Sequence, residues 1–238
     1  MSAMRIVIDA GHGPETAGKR SPDGSLREYQ FNSAVARYVA DSLLHGYEGV
    51  EILMTHADDR DVPLKERTDR ANAWKADLFV SIHANAAGDG WSAAQGIETY
   101  VYTSRPPAAV ALANAVQRQL IKATGRPDRG VKSADFHVLR ETRMTAILVE
   151  CGFMTNRTEA ELLKSDDYRR KCAAAIVQGI VETYGLRKKP VQPKLDDVSD
   201  WARDARDWAV SRGITDGTRP KDAVTREEVW TMLYRALR

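Results

Sequence analysis

The stretch that decides the fold reads Arg5-Ile6-Val7-Ile8-Asp9-Ala10-Gly11-His12-Gly13. Its apolar, largely β-branched residues form a short run bounded by turn residues, which is the pattern of a buried strand. The glycines on either side of His12 let the backbone turn sharply just past the strand end, because glycine has no Cβ. The sequence therefore predicts a strand that carries His12 to the edge of a sheet, where its imidazole faces a cleft.

Two further apolar runs carry polar side chains near their ends. They are Leu78-Phe79-Val80-Ser81-Ile82-His83-Ala84-Asn85 and Ala146-Ile147-Leu148-Val149-Glu150-Cys151-Gly152-Phe153. In a sheet whose strands lie side by side, ligand crevices form beyond the strand ends. Two histidines and a glutamate delivered to one such edge indicate a metal site rather than a core.

Composition narrows the classes of function. The chain has 238 residues, of which 43% are hydrophobic and 29% are charged, and its formal net charge is +2. So small a net charge gives no reason to expect nucleic acid as a partner. No apolar run approaches the roughly 20 residues of a membrane span, so we expect no membrane insertion. No signal-peptide pattern precedes the first strand, so we expect no signal-dependent secretion.

The two cysteines, Cys151 and Cys172, are too few for a disulfide framework in a chain of this length. Cys151 directly follows Glu150, so a nucleophilic role has to be weighed against a structural one. A nucleophilic thiol needs a base beside it in space, which a sequence alone cannot show. We therefore predict two buried, reduced thiols.

The remaining patterns alternate between helix and strand. Helical periodicity is found at about 28–46, 61–75, 108–124, 158–164 and 168–184, and strand patterns at 50–54 and 96–102. This alternation favours an α/β fold, with a mixed, mostly parallel sheet that has helices on both faces. The stretch 125–133 is polar, and no element is predicted there.

A change of composition predicts two domains. Residues 1–186 form the α/β domain, and 187–194 form a basic linker that two prolines interrupt. Residues 195–238 form a small module of two amphipathic helices, and Thr225 with Glu228 is typical of a capping box at the start of the second.

The small C-terminal module holds three of the five tryptophans, Trp201, Trp208 and Trp230. A module of so few residues buries little surface, so we expect some of these rings to form its core. A ring left on the surface would suit stacking against a sugar.

The polar side chains near the ends of the predicted strands are of the types that a metal-dependent amide hydrolase uses. A zinc ion with three protein ligands and one open position lowers the pKa of its water to about 7. His12 and His83 supply two imidazoles, and a carboxylate would complete the set. Glu28, at the start of the helix that follows the His12 loop, is a candidate ligand, whereas Glu150 is a candidate general base. Arg67 and Asn85 are expected neighbours of this site.

Five blocks of sequence, in order, carry a resemblance to a known family. They are Ile6-Val7-Ile8-Asp9-Ala10-Gly11-His12-Gly13, Arg27-Glu28-Tyr29-Gln30-Phe31-Asn32, Leu64 with Arg67 and Ala71-Asn72, residues 77–85, and residues 148–156. Together they resemble the zinc-dependent N-acetylmuramoyl-L-alanine amidases of the type-3 amidase family, from about Arg5 to Leu186. Ala10 stands where the family often has proline.

The resemblance implies a site and a substrate. It implies that His12, Glu28 and His83 bind Zn²⁺ and that Glu150 is the catalytic carboxylate. It also implies that the enzyme cleaves bacterial peptidoglycan, at the amide between N-acetylmuramic acid and the L-alanine of the stem peptide.

The C-terminal module resembles a single S-layer homology repeat. The likeness lies in Asp197-Val198, Trp201-Ala202, Ala205, Trp208-Ala209, Gly213-Ile214-Thr215-Asp216-Gly217 and Val224-Thr225-Arg226-Glu227-Glu228. It implies binding to a secondary cell-wall polymer. The connector between the two helices is shorter than the usual pattern, and such repeats commonly occur in threes.

A wall hydrolase without a signal peptide is expected to be a phage or prophage endolysin. Such an enzyme is made in the host cytoplasm and reaches the wall when a holin or lysis opens the membrane. A sporulation-linked lysis enzyme is the nearest alternative. Two rival functions stay open at this point: another zinc-dependent wall hydrolase, such as a peptidase or deacetylase, and a non-catalytic wall-binding protein.

Overall fold

Six strands form one sheet, in the order β2-β1-β3-β6-β4-β5. Their bounds are β1 Met4–Ala10, β2 Val50–Met54, β3 Leu78–Asn85, β4 Ile97–Val101, β5 Asp128–Ser133 and β6 Thr145–Phe153. β4 and β6 pair antiparallel, and the other strand pairs described are parallel. The predicted mixed, mostly parallel sheet is confirmed.

Helices cover both faces of this sheet. Their bounds are α1 Glu28–Gly46, α2 Leu64–Ala73, α3 Pro107–Thr124, α4 His137–Arg140, α5 Arg157–Lys164 and α6 Asp166–Tyr184. Alternate residues of β1 divide between the faces: Ile6 and Ile8 pack with α1, α3 and α6, whereas Val7 packs with residues of α2 and α4. β1 is therefore buried on both sides, which explains its continuous apolar run.

The computed structural model describes residues 3–55, 60–190, 198–217 and 223–237. The chain divides into two compact units, Met1–Lys189 and Pro190–Arg238. The predicted linker at 187–194 stays a prediction, because residues 191–194 lie outside the described residues. None of the helices described is both long enough and apolar enough to cross a bilayer.

One strand and one short helix were not predicted from the sequence. β5 pairs with β4 at the edge of the sheet, and its side chains are partly or fully exposed. A polar edge strand lacks the apolar alternation that reveals a strand in a sequence. α4 has four residues, too few for helical periodicity to be recognised.

The two cysteines are free and buried, as predicted. A hydrogen bond with Cys172, together with burial, raises the pKa of the Cys151 thiol well above its ordinary value. Because the thiolate is the reactive form of cysteine, burial and a raised pKa favour the unreactive thiol at Cys151.

The C-terminal unit contains a short 3₁₀ turn, Asp200–Ala202, and two helices, α7 Arg203–Ser211 and α8 Arg226–Ala236. The capping box of Thr225 and Glu228 is confirmed. The expectation that some tryptophans form the core is wrong for the residues described, since Trp201, Trp208 and Trp230 are 89%, 51% and 64% exposed. Helices of nine and eleven residues offer too little surface to bury three indole rings. The end of the predicted connector, 218–220, lies outside the described residues.

Candidate metal centre

His12, Glu28 and His83 come together at one edge of the sheet. One ligand atom from each residue can be chosen such that all three lie within 4.8 Å of one another. The two oxygens of Glu28 face different imidazoles, at 3.2 Å from His12 Nε2 and 3.0 Å from His83 Nδ1. The imidazole rings meet edge to face, with 5.1 Å between their centroids. Nitrogen and oxygen donors converging in this way form a set that can hold a divalent metal ion.

Three separate elements deliver these side chains. His12 follows β1, Glu28 is the first residue of α1, and His83 lies near the end of β3. Gly11 is required for this approach, because a Cβ at position 11 would lie 2.1 Å from His83 Cε1. His12 itself has a φ of 61°, in the left-handed region, which for a non-glycine residue costs about 1–2 kcal/mol.

A buried ion pair supports the backbone that carries His12. Arg67 is 2% exposed, and its Nη1 donates to Asp9 Oδ1 at 2.9 Å and also to the carbonyl of Ala10. Its Nη2 donates to the carbonyl of His12 at 3.0 Å. Arg67 is thus a support for the His12 loop and is not exposed to contact a substrate. Asn85, the other expected neighbour, donates to Glu98 at 2.7 Å.

Asp9 completes this support from beneath. It accepts hydrogen bonds from Ser81 Oγ at 2.6 Å and from Thr55 Oγ1 at 2.5 Å. Burial opposes the charge of Asp9, but Arg67 and the two hydroxyl groups keep its pKa below the ordinary value. Asp9 therefore stays ionised and holds the Arg67 guanidinium in place.

The ligand side chains are also oriented individually. Buried Glu28 accepts hydrogen bonds from Asn32 Nδ2 and from the backbone N–H of Ala84, both at 3.2 Å. Burial lowers the pKa of His12 to about 4. At neutral pH this imidazole is uncharged, which is the form that coordinates a metal.

Glu150 lies beside the three ligands. It is the direct neighbour of His83 in the pairing of β3 with β6. Its Oε2 is buried and has no hydrogen-bond partner among the residues described. Burial raises the pKa of Glu150 to about 8. A carboxyl group with a pKa near neutral suits proton transfer in both directions.

A second glutamate, Glu98, is the neighbour of Glu150 on the other side, across the antiparallel pairing of β4 with β6. Glu98 accepts from Lys132, from Arg129 Nε at 2.7 Å and from Tyr100 OH at 2.7 Å. Although burial works in the opposite direction, these partners lower its pKa to about 2. The pKa values of two adjacent glutamates are thus shifted in opposite directions, a pattern found at acid–base sites.

Sequence reasoning found the converging residues but missed Asp9 and Glu98. Asp9 stands inside the apolar run of β1, where a lone acid is a signal of burial with a partner. Glu98 gave no such signal, because its cationic partners Arg129 and Lys132 lie on β5, the strand that was not predicted.

Residues 6–182 match the family model Amidase_3, described as N-acetylmuramoyl-L-alanine amidase. The chain is 36% identical over 185 residues to the N-acetylmuramoyl-L-alanine amidase CwlM of Bacillus licheniformis, covering 78% of this chain and 70% of the relative. It is 36% identical over 200 residues to the endolysin of Bacillus phage SPP1, covering 81% of this chain and 71% of the endolysin.

Similarity also extends to a sporulation enzyme and to solved structures. The sporulation-specific N-acetylmuramoyl-L-alanine amidase of Bacillus subtilis (strain 168) is 34% identical over 185 residues, covering 78% of this chain and 70% of the relative. The catalytic domain of CwlV, an N-acetylmuramoyl-L-alanine amidase from Bacillus (Paenibacillus) polymyxa var. colistinus, superposes with a TM-score of 0.71 at 38% identity. That comparison covers 77% of this chain and 99% of the CwlV domain.

Proposed function

The chain belongs to the N-acetylmuramoyl-L-alanine amidase family, whose reaction is hydrolysis of the amide between N-acetylmuramic acid and L-alanine in peptidoglycan, and we propose that His12, Glu28 and His83 hold zinc for this reaction. Two imidazoles and a carboxylate are a donor set of catalytic zinc sites. The three ligand atoms are close enough to share one ion, and burial keeps His12 in its uncharged form. The residues present therefore fit zinc.

Zinc with an open coordination position supplies Lewis acidity, which lowers the pKa of a bound water and polarises a carbonyl. In our proposal Glu150 takes the proton of the attacking water and returns it to the departing amine nitrogen. The water oxygen bonds to the carbonyl carbon and the carbon–nitrogen bond breaks, which leaves a carboxylate on the lactyl group and an ammonium group on alanine. The position of Glu150 next to His83 and its unpartnered Oε2 support this role.

The convergence of His12, Glu28 and His83 beside Glu150 is the observation that carries this proposal. It is tested by mass spectrometry of purified peptidoglycan after digestion. Stem peptides that begin with L-alanine are expected. Cleavage inside the peptide would instead indicate a peptidase, and released acetate a deacetylase. Intact walls after incubation with zinc would indicate a non-catalytic wall-binding protein.

We also propose that the enzyme acts as an endolysin, made in the host cytoplasm and reaching the wall only when the membrane is opened. Its 36% identity to the phage SPP1 endolysin supports this role. Its 34% identity to the sporulation-specific amidase supports mother-cell lysis as a second candidate. In a Bacillus host expressing the chain, lysis is expected only after a holin is co-expressed. Active enzyme in the medium of intact cells would contradict this proposal.

For the C-terminal unit we propose binding to a secondary cell-wall polymer. The S-layer homology resemblance and the exposed ring of Trp201 support this proposal. The full-length chain is expected to sediment with native walls, and to do so less with walls stripped of their secondary polymer by mild acid. Trp201→Ala should weaken the sedimentation with native walls. Equal sedimentation with both wall preparations would contradict polymer binding.

A further inference from the structure

A cavity of about 290 Å³ lies beside the metal centre, lined by residues 13, 15–20 and 27. Both ends of this lining adjoin the centre, since residue 13 follows one histidine ligand and residue 27 precedes the glutamate ligand. We call it the cationic pocket, because Lys19, Arg20 and Arg27 line it together with one carboxylate, Glu15.

Two of these cations face each other directly. Arg20 and Arg27 are opposite residues in an antiparallel bridge that holds the loop together. Like charges placed opposite each other across such a pair are destabilising. Neither arginine forms an ion pair with a described residue, and Arg27 Nη1 donates to the neutral carbonyl of Pro14 at 2.5 Å. A bound anion would remove the repulsion between the two guanidinium groups.

The third cation, Lys19, lines the cationic pocket and lies beside a residue of the metal centre. The backbone N–H of Glu28 donates to the carbonyl of Lys19 at 2.9 Å, so these residues are neighbours across the loop. Paired residues of this kind have Cα atoms about 5 Å apart. The ammonium group of Lys19 is also close enough to act electrostatically on both His12 and Glu150. The backbone at Lys19, which lines the pocket, thus lies directly beside the backbone of one candidate metal ligand, Glu28.

We propose that the cationic pocket binds a free carboxylate of the stem peptide, and that this contact selects substrates with an acidic residue next to the cleaved alanine. This inference rests on the proposed amidase site. On the sugar side of the cleaved bond, the lactyl carboxyl group forms the amide itself, so it offers no free carboxylate. On the peptide side, we take the partner of the pocket to be a glutamate that follows alanine and continues the peptide through its γ-carboxyl, which leaves its α-carboxylate free. This carboxylate lies one residue beyond the cleaved alanine, about 3.5 Å of extended chain, and the lining of the pocket adjoins two candidate metal ligands in the sequence.

The test compares two soluble muramoyl-tripeptides that differ only in the group carried by the glutamate, a free α-carboxylate or a carboxamide. The wild-type chain is expected to show about ten-fold higher kcat/KM on the free acid, a typical effect of a hydrogen bond to a charged group. In Arg20→Gln this ratio should fall to about one. The matched control is Lys122→Gln, which removes one exposed cation from α3 and should keep the ten-fold ratio.

The ratio between two substrates is unaffected by a general loss of active enzyme, so a poorly folded variant does not imitate the result. A wild-type ratio near one, or an unchanged ratio in Arg20→Gln, would overturn the inference. If neither fragment is hydrolysed, the proposed function fails instead. Calorimetry with the two free tripeptides then tests carboxylate binding by the cationic pocket separately. Equal affinity for both tripeptides would overturn this binding, and tighter binding of the free acid would support it.

Discussion

The two units of the chain use polar and aromatic side chains in opposite ways. In the first unit, the metal-centre residues are buried or half-buried, and each is held by contacts from other elements, as Arg67 holds the loop of His12. In the second unit, Trp201 and Trp230 stand largely exposed on short helices. The contrast teaches that the candidate metal centre lies where burial fixes the side chains, whereas the tryptophan rings of the second unit are left in solvent. Four variants test whether this contrast holds.

Glu150→Gln should lower kcat by about 10²–10⁴-fold, the range expected for loss of a general acid–base group. The amide side chain cannot take up a proton, but its size is unchanged, so the zinc content and the unfolding temperature should stay those of the wild type. The measurement is turnover on purified peptidoglycan. The control Glu161→Gln removes an exposed carboxylate from α5 and should keep full activity. Wild-type turnover in Glu150→Gln would contradict the assigned role.

Arg67→Met should destabilise the first unit by about 3–5 kcal/mol, because it leaves the buried charge of Asp9 without its partner. The free energy of unfolding in urea is the quantity to compare. Arg118→Met is the matched control, since it breaks an exposed ion pair with Glu182 and should cost less than about 1 kcal/mol. Equal losses in the two variants would mean that burial does not distinguish these ion pairs.

Gly11→Ala should weaken zinc binding by about 10–100-fold, similar to the loss of a group that orients a ligand. The new methyl group would collide with the ring of His83 and displace it. Competition with a fluorescent chelator measures the affinity. Gly46→Ala, at a position with no atoms within 4 Å of the added methyl group, should bind zinc like the wild type. If Gly11→Ala also binds normally, the close approach of β1 to His83 is unimportant.

Trp201→Ala should change the free energy of unfolding by no more than about 0.5 kcal/mol, as is usual for a surface substitution. The ring is 89% exposed, so its removal opens no cavity. A loss of more than about 2 kcal/mol in urea unfolding would show that the indole is packed and that the second unit resembles the first.

The main strands of the fold and most of the residues that converge at the candidate metal centre could be predicted from the sequence, because strand patterns are short-range. β1, β3 and β6 are apolar runs, and His12, His83 and Glu150 stand near their ends. Glu28 was less distinctive, since acidic residues are common in a first helical turn, and the family resemblance singled it out.

What could not be predicted depends on contacts between distant parts of the chain. Arg67 was expected near the site, but its burial beneath His12 depends on hydrogen bonds to Asp9, Ala10 and His12, which are distant from it in the chain. The network around Glu98 requires β5, whose polar residues show no strand pattern. The exposed tryptophans were misjudged because short helices reveal the periodicity of their aromatic residues but not the area available to cover them.

The proposed chemistry requires that His12, Glu28 and His83 share one zinc ion. Anomalous diffraction at the zinc absorption edge, from crystals of the zinc-loaded protein, locates this ion. We predict a single strong peak about 2.0–2.2 Å from a nitrogen of His12, an oxygen of Glu28 and a nitrogen of His83. A zinc-loaded crystal with no peak among these three side chains, or with a peak held by other residues, would contradict the account.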